Sequence, residues 1–204
     1  NDMDVRKISG MIYDFSVRGG VVKCVLQNIS AVEKSGFVLD NLNARLLVDK
    51  GYIKFEELQA ATQKSTIAMP YLVLDGGNWQ RYKHYIDSVQ MDGVIDYATL
   101  HTSDVAYFAP KLRTWDVTVR DVNGSFNGYV RDLTAQLNSA SVGDDSNING
   151  VAHIVGLPDW RTATYDVDVD KAHITARDVV YLVKEATGKS LPAKAQSIVN
   201  NVTW

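Results

Sequence analysis

The chain has 204 residues, of which 46% are hydrophobic and 22% charged, and its formal net charge is -3. This composition excludes a disordered chain, and without a basic block it excludes an electrostatic nucleic-acid interface. A single cysteine excludes an intrachain disulfide.

The dominant pattern is period-2 alternation, the mark of strands with one face buried. It begins at Met11, Tyr13, Phe15 and Val17, which alternate with Ile12, Asp14, Ser16 and Arg18. Cys24 follows in an apolar run, 21–26, and reads as a buried strand cysteine. From Phe37 and Leu39 the apolar phase moves to Leu42, Ala44, Leu46 and Val48, which predicts a bulge or turn near Asp40 and Asn41. Further strands are predicted at about 52–59 (with Ile53 and Phe55), 65–74 and 86–97. Later alternating sets are Trp115, Val117 and Val119; Tyr129, Leu133, Ala135 and Leu137; and Tyr165, Val167 and Val169. Turn signals lie at 18–20, 49–51, 75–77, 123–124 and 143–145.

Two segments read as helices instead. Ser103 to Leu112 carries helical apolar spacing. Thr175 to Thr187 opens with a near capping box and stops at Gly188, a favourable residue after a helix end. A third short helix is predicted near 192–199. Residues 96–109 align with 170–183, with identities at Asp96/Asp170, Ala98/Ala172, Asp104/Asp178, Val105/Val179 and Tyr107/Tyr181. A strand-helix unit thus occurs twice, at about 85–112 and 164–187, and repeated units of this kind imply stacking along an extended sheet.

The run Val32-Glu33-Lys34-Ser35-Gly36-Phe37-Val38-Leu39-Asp40-Asn41-Leu42 resembles a recurring segment of TamB-like proteins (translocation and assembly module subunits) of Bacteroidetes, in the AsmA/TamB family. Residues 52–58, Thr66 and Ile67, 72–75, 100–110, 148–150 and 156–159 resemble that family's later elements, so the likeness is spread over most of 20–204. The resemblance implies a periplasmic protein, anchored in the inner membrane, whose curved antiparallel sheet forms a taco-like groove for lipid acyl chains. It also implies a supporting role in outer-membrane biogenesis, with an outer-membrane β-barrel assembly protein as a partner. The expected fold is therefore mainly β, an elongated curved sheet with two or three short helices. Residues 1–204 read as one segment excised from a longer chain. The expected groove wall comprises Leu42, Ala44, Leu46, Val48, Ile53, Phe55, Trp115, Val117, Val119, Leu133, Leu137, Val167 and Val169. The alternative is a structural or adhesin-like β-sandwich that uses the same residues as a closed core.

No chemistry-bearing motif competes with these readings. G-x-S-x-G, P-loop and dinucleotide fingerprints are absent from the sequence, so no catalysis and no cofactor are expected. Asp145, Asn147, Asn149 and Gly150 imitate the first half of a calcium loop, but Gly156 stands where the bidentate Glu belongs. His84, His101, His153 and His173 lack zinc spacing. Asp166, Asp168 and Asp170 read as a solvated strand face, and Trp79, Tyr82 and Tyr85 as a loop packed on the sheet.

Overall fold

The computed structural model describes residues 5–34, 36–107, 112–159 and 161–188. Among them are the strands β1 (Val5–Arg18), β2 (Val21–Glu33), β3 (Val38–Leu39), β4 (Asn41–Asp49), β5 (Tyr52–Ala61) and β6 (Thr66–Asp75). The series continues with β7 (Gln90–His101), β8 (Thr118–Tyr129), β9 (Asp132–Val142), β10 (Ser146–Val155) and β11 (Thr164–His173). They form one open antiparallel sheet in the order β1-β2-β4-β5-β6-β7-β8-β9-β10-β11, and β3 pairs with the far end of β2. The fold is mainly β, as the alternation predicts. Its helices are short: a 3-10 turn at Trp79–His84, α1 (Tyr85–Ser88), α2 (Thr102–Val105) and α3 (Ala176–Thr187).

A meander follows from the turns. The connections at 18–21 and 49–52 are tight two-residue hairpins, with Gly19 and Gly20 at φ 59° and 88° and Lys50 and Gly51 at φ 39° and 89°. Two successive positive φ values give the mirror-image turn whose twist matches the flanking strands. The break at Asp40 separates β3 from β4, and Leu39 and Leu42 keep to one face across it.

Five details differ from the sequence reading. In β1 the register slips between Tyr13 and Ser16, at Asp14 (φ 50°), so Met11 and Tyr13 share a face with Ser16 and Arg18, while Ile12 joins Phe15 and Val17. Residues 86–88 are helical, and the strand starts at Gln90. The 123–124 signal is not a turn, because β8 runs through it; a Cβ on Gly124 would lie 2.1 Å from the Gln136 carbonyl oxygen, so the glycine serves close strand approach. Of the helix predicted over 103–112, residues 108–111 fall outside the described residues; the described part is the single turn α2, whose Thr102 Oγ1 donates to the Trp115 carbonyl and ties the chain back to β7. Trp115 and Val117 precede β8 and belong to no strand. The helix expected near 192–199 falls outside the described residues.

Extra residues interrupt the pairing near the middle of β2, β5, β7, β8, β9 and β11, whereas β4 and β10 keep one phase, and these slips form a line across the sheet. Positive φ values mark it at Asn28 (52°), Glu57 (53°) and Asp121 (53°), and register breaks continue it at Ile95/Ala98 and Asn149/Gly150. Side-chain amides satisfy backbone groups along this line. Asn123 Nδ2 donates to the Asp96 carbonyl (2.7 Å), Asn138 Nδ2 to Asn123 Oδ1 (2.7 Å) and Asn149 Nδ2 to the Asn138 carbonyl (3.0 Å). Asn43 Oδ1 accepts from the Asn28 N–H at 2.8 Å. Because each bulge bends its strand and sharpens the twist, an aligned row of bulges curves the whole sheet.

The aligned stretches 96–109 and 170–183 share an anchor. In the first unit Ser65 Oγ, at the turn before β6, donates to Asp104 in α2 (2.6 Å) and accepts from the His101 N–H (2.9 Å). In the second, Ser146 Oγ, at the start of β10, donates to Asp178 in α3 (2.7 Å) and accepts from the Thr175 N–H (3.0 Å). His101 and Thr175 are the N-caps of α2 and α3. In both units a carboxylate in the first helical turn therefore grips the turn that opens the preceding hairpin. That position suits it, since a helix N-terminus favours negative charge.

Candidate functional site

Residues paired across neighbouring strands lie on the same face, so the register traces each face row by row. One row runs through Val17, Val22, Val48, Ile53 and Leu74, then Met91, Gly128, Leu133, Ile154 and Tyr165, crossing all ten strands of the path. The next runs through Cys24, Leu46, Phe55 and Leu72, then Gly93, Phe126, Ala135, Ala152 and Val167. Further along, Leu42, Ala60, Ile67, Ala98 and Val122 continue the same surface. No charged side chain falls in these rows. On the opposite face a parallel row reads Lys23, Leu47, Lys54, Val73 and Asp92, then Asn127, Thr134, His153 and Asp166. The two faces are thus chemically distinct along their whole width.

The uncharged face is only thinly covered. Buried residues form two clusters, Ala44 with Leu58 and Met69, and Ala98 with Val122 and Ala140. Half-buried Leu42, Phe55, Ile95, Phe126 and Leu137 pack around them. Among the described residues the main contacts between elements are those of strand neighbours, and the helical turns pack at the sheet ends, α2 against β7 and α1 against β8. Among the described residues no second sheet lies over the face. Toward the sides of the sheet its apolar residues stand in the open: Phe15 is 65% exposed and Val167 51%.

Of the residues expected to line a groove, Leu42, Ala44, Leu46, Val48, Ile53, Phe55, Val119, Leu133, Leu137, Val167 and Val169 all share this face. Trp115 and Val117 do not belong to it as strand residues. The structure adds Ile67, Met69 and Leu72 of β6, Met91 and Ile95 of β7, and Phe126 of β8. The signal for these was present as alternation, but β6, β7 and β8 change phase within the strand and so break a single period-2 template. Cys24 sits in the same wall, buried opposite Leu46, and burial pushes its thiol pKa up, which keeps it protonated and inert.

The other side-chain constellations have structural work to do. His101 Nδ1 accepts the Ser103 N–H (3.1 Å) and lies 2.7 Å from Ser103 Oγ, while Nε2 lies 3.0 Å from Asp116. With Nδ1 committed to the helix cap, this Ser-His-Asp grouping closes α2 onto the β8 connection. Asp116 in turn takes contacts from α3 through both Glu185 and Tyr181. Asn147 and Asn149, half of the calcium-like loop, are residues of β10, and Asn149 spends its amide on the bulge line. Among the described residues no three His, Cys, Asp or Glu side chains converge as a metal site would require. The Tyr82 hydroxyl donates to the Leu74 carbonyl (2.9 Å), so the aromatic loop packs on the sheet end as expected, although Trp79 and Tyr85 stay exposed.

No protein-family model, no curated protein and no solved structure matches the chain. Among the described residues no helix is long and apolar enough to cross a membrane.

Proposed function

We propose that the uncharged face is the wall of a groove that carries or shields lipid acyl chains, and that the chain acts without catalysis. The observation that carries this reading is the run of apolar rows across all ten strands, with no second sheet over them among the described residues. An acyl chain leaving water for such a wall gains about 0.8 kcal/mol per buried methylene, with no covalent step. The resemblance of residues 32–42 to TamB-like segments supports the same reading. It extends the proposal to a periplasmic location, a parent protein anchored in the inner membrane, and a role in outer-membrane biogenesis beside a β-barrel assembly protein. A closed sandwich, the structural or adhesin-like alternative, needs a second sheet across the wall, and the described residues supply only one.

Leu46 and Arg45 test this reading as a pair, since they are neighbours on opposite faces of β4. In an open groove, Leu46→Asp keeps its carboxylate in water, so the fold is retained while binding of a fluorescent fatty acid falls at least ten-fold. Arg45→Asp changes neither. If Leu46→Asp unfolds the protein through an unpaired carboxylate buried in a core, or binds the fatty acid as tightly as wild type, the groove reading fails.

A further inference from the structure

An open cavity of about 580 Å³ lies on the charged face, opposite the groove wall, over the hairpins β1-β2 and β4-β5. The register explains why its side chains converge. Arg18, Val21, Asp49 and Tyr52 follow one another in a row across the four strands, and Lys23 and Leu47 stand side by side in the next row. All six line the cavity, whose volume is that of a small-molecule site.

The charges of this cavity are not spent on one another. Elsewhere on the same face Lys54 is held by Glu56 (2.6 Å) and Arg45 by Glu57 (3.2 Å). Among the described residues Arg18 and Lys23 have no such partner, and Arg18 and Asp49 flank Val21 without pairing. The buried Oδ1 of Asp49 takes no hydrogen bond. A buried carboxylate oxygen without a donor is costly, so a group that brings one is favoured there. A simple anion entering the cavity would be repelled by Asp49, and a simple amine by Arg18 and Lys23. A ligand with both charges meets neither penalty. Two cations against one carboxylate call for an anionic end of high charge, and the guanidinium fork matches phosphate oxygens. Val21 and Leu47 give the space between the charges an apolar floor suited to a short carbon linker.

We infer that this cavity binds a phosphate joined to an ammonium by a short carbon linker, as in phosphoethanolamine, with the phosphate on Arg18 and Lys23 and the ammonium on Asp49. The free monoester and the headgroup of a phospholipid both carry this chemistry. The site lies on the face opposite the groove wall and does not rest on what that wall binds.

The test is calorimetric titration of the full 204-residue chain at low salt and about pH 7.5, where a phosphate monoester carries close to two negative charges. O-phosphoethanolamine should bind saturably, and inorganic phosphate or ethanolamine at least ten-fold more weakly. Arg18→Gln and Lys23→Gln should each weaken phosphoethanolamine at least ten-fold. Asp49→Asn should weaken it as much yet strengthen inorganic phosphate, a crossed response that damage to the fold cannot produce. Arg45→Gln, outside the cavity, should bind like wild type, and fatty-acid binding should be the same in all four variants. Co-sedimentation with phosphatidylcholine vesicles, with and without phosphatidylethanolamine, separates the two sources. Retention that needs phosphatidylethanolamine and is lost in Asp49→Asn assigns the headgroup; titration without retention assigns the free monoester. Inorganic phosphate bound as tightly as phosphoethanolamine, Asp49→Asn bound like wild type, or no binding of either source would each overturn the proposal.

Discussion

Asp178 shows how much a single residue can be asked to do. It is 2% exposed. Burial acts to raise its pKa, but donation from Ser146 Oγ, the Asp144 N–H, Thr175 and the Asp145 N–H outweighs that and holds the carboxyl far below the ordinary 3.8. The folded pKa is lower than the unfolded one, so the stabilisation is complete above the ordinary carboxylate range. It is lost as pH falls through 3.8 and below. Asp178→Asn should therefore cost about 2 kcal/mol at pH 7, from the loss of charge-assisted hydrogen bonds, and should flatten the acid limb of stability against pH. Asp166→Asn, on an exposed strand face, should stay within about 0.5 kcal/mol. Chemical denaturation at pH 3 to 7 measures both; parallel acid limbs for wild type and Asp178→Asn would contradict the assignment. The identity of Asp104 with Asp178 was visible in the sequence, but their serine partners were not. Ser65 and Ser146 lie at different distances along the chain from their carboxylates, because the 3-10 turn and α1 lengthen one connection and not the other.

At the scale of elements, the strands and α3 were legible because local chemistry and tertiary packing agree. Thr175 caps α3, and Gly188 ends it at φ 66°. The bulges were not legible. Asp14, Asn28, Glu57 and Asp121 hold positive φ because the neighbouring strand demands it, and nothing in their immediate sequence does. A phase jump such as Leu42 to Val48 shows only where a strand begins anew, whereas a bulge inside β7 or β8 leaves two half-patterns that each look incomplete. The serine anchors give this scale its own prediction. Ser146→Ala removes the acceptor of the Thr175 N–H, and Ser65→Ala that of the His101 N–H. Each variant should lose about 1 to 2 kcal/mol, and hydrogen exchange should accelerate at Thr175 in the first and at His101 in the second. Unchanged protection at both amides would show that the anchors do not hold the helices.

For the molecule as a whole, the open face has a thermodynamic signature that a closed core lacks. Ten strands about 4.8 Å apart present a curved wall on the order of 43 Å across, apolar from side to side. Binding to such a wall should be set by how much hydrocarbon leaves water. Affinity for single-chain fatty acids should then rise about four-fold per added methylene, the equivalent of about 0.8 kcal/mol, until the chain fills the available surface. The headgroup should matter little, because the rows carry no charge to read it. At a free ligand concentration of about 100 times Kd, unfolding free energy should increase by about 2.7 kcal/mol, seen as a raised Tm, and Leu46→Asp should lose most of that increase. Displacement of a bound hydrophobic dye across a series of 10- to 18-carbon acids at fixed ionic strength makes the comparison direct. A module whose apolar faces serve only its own packing would give no displacement. Affinity that followed the headgroup and ignored chain length would place binding on the charged face instead, where Lys23, Lys54 and Asp92 stand.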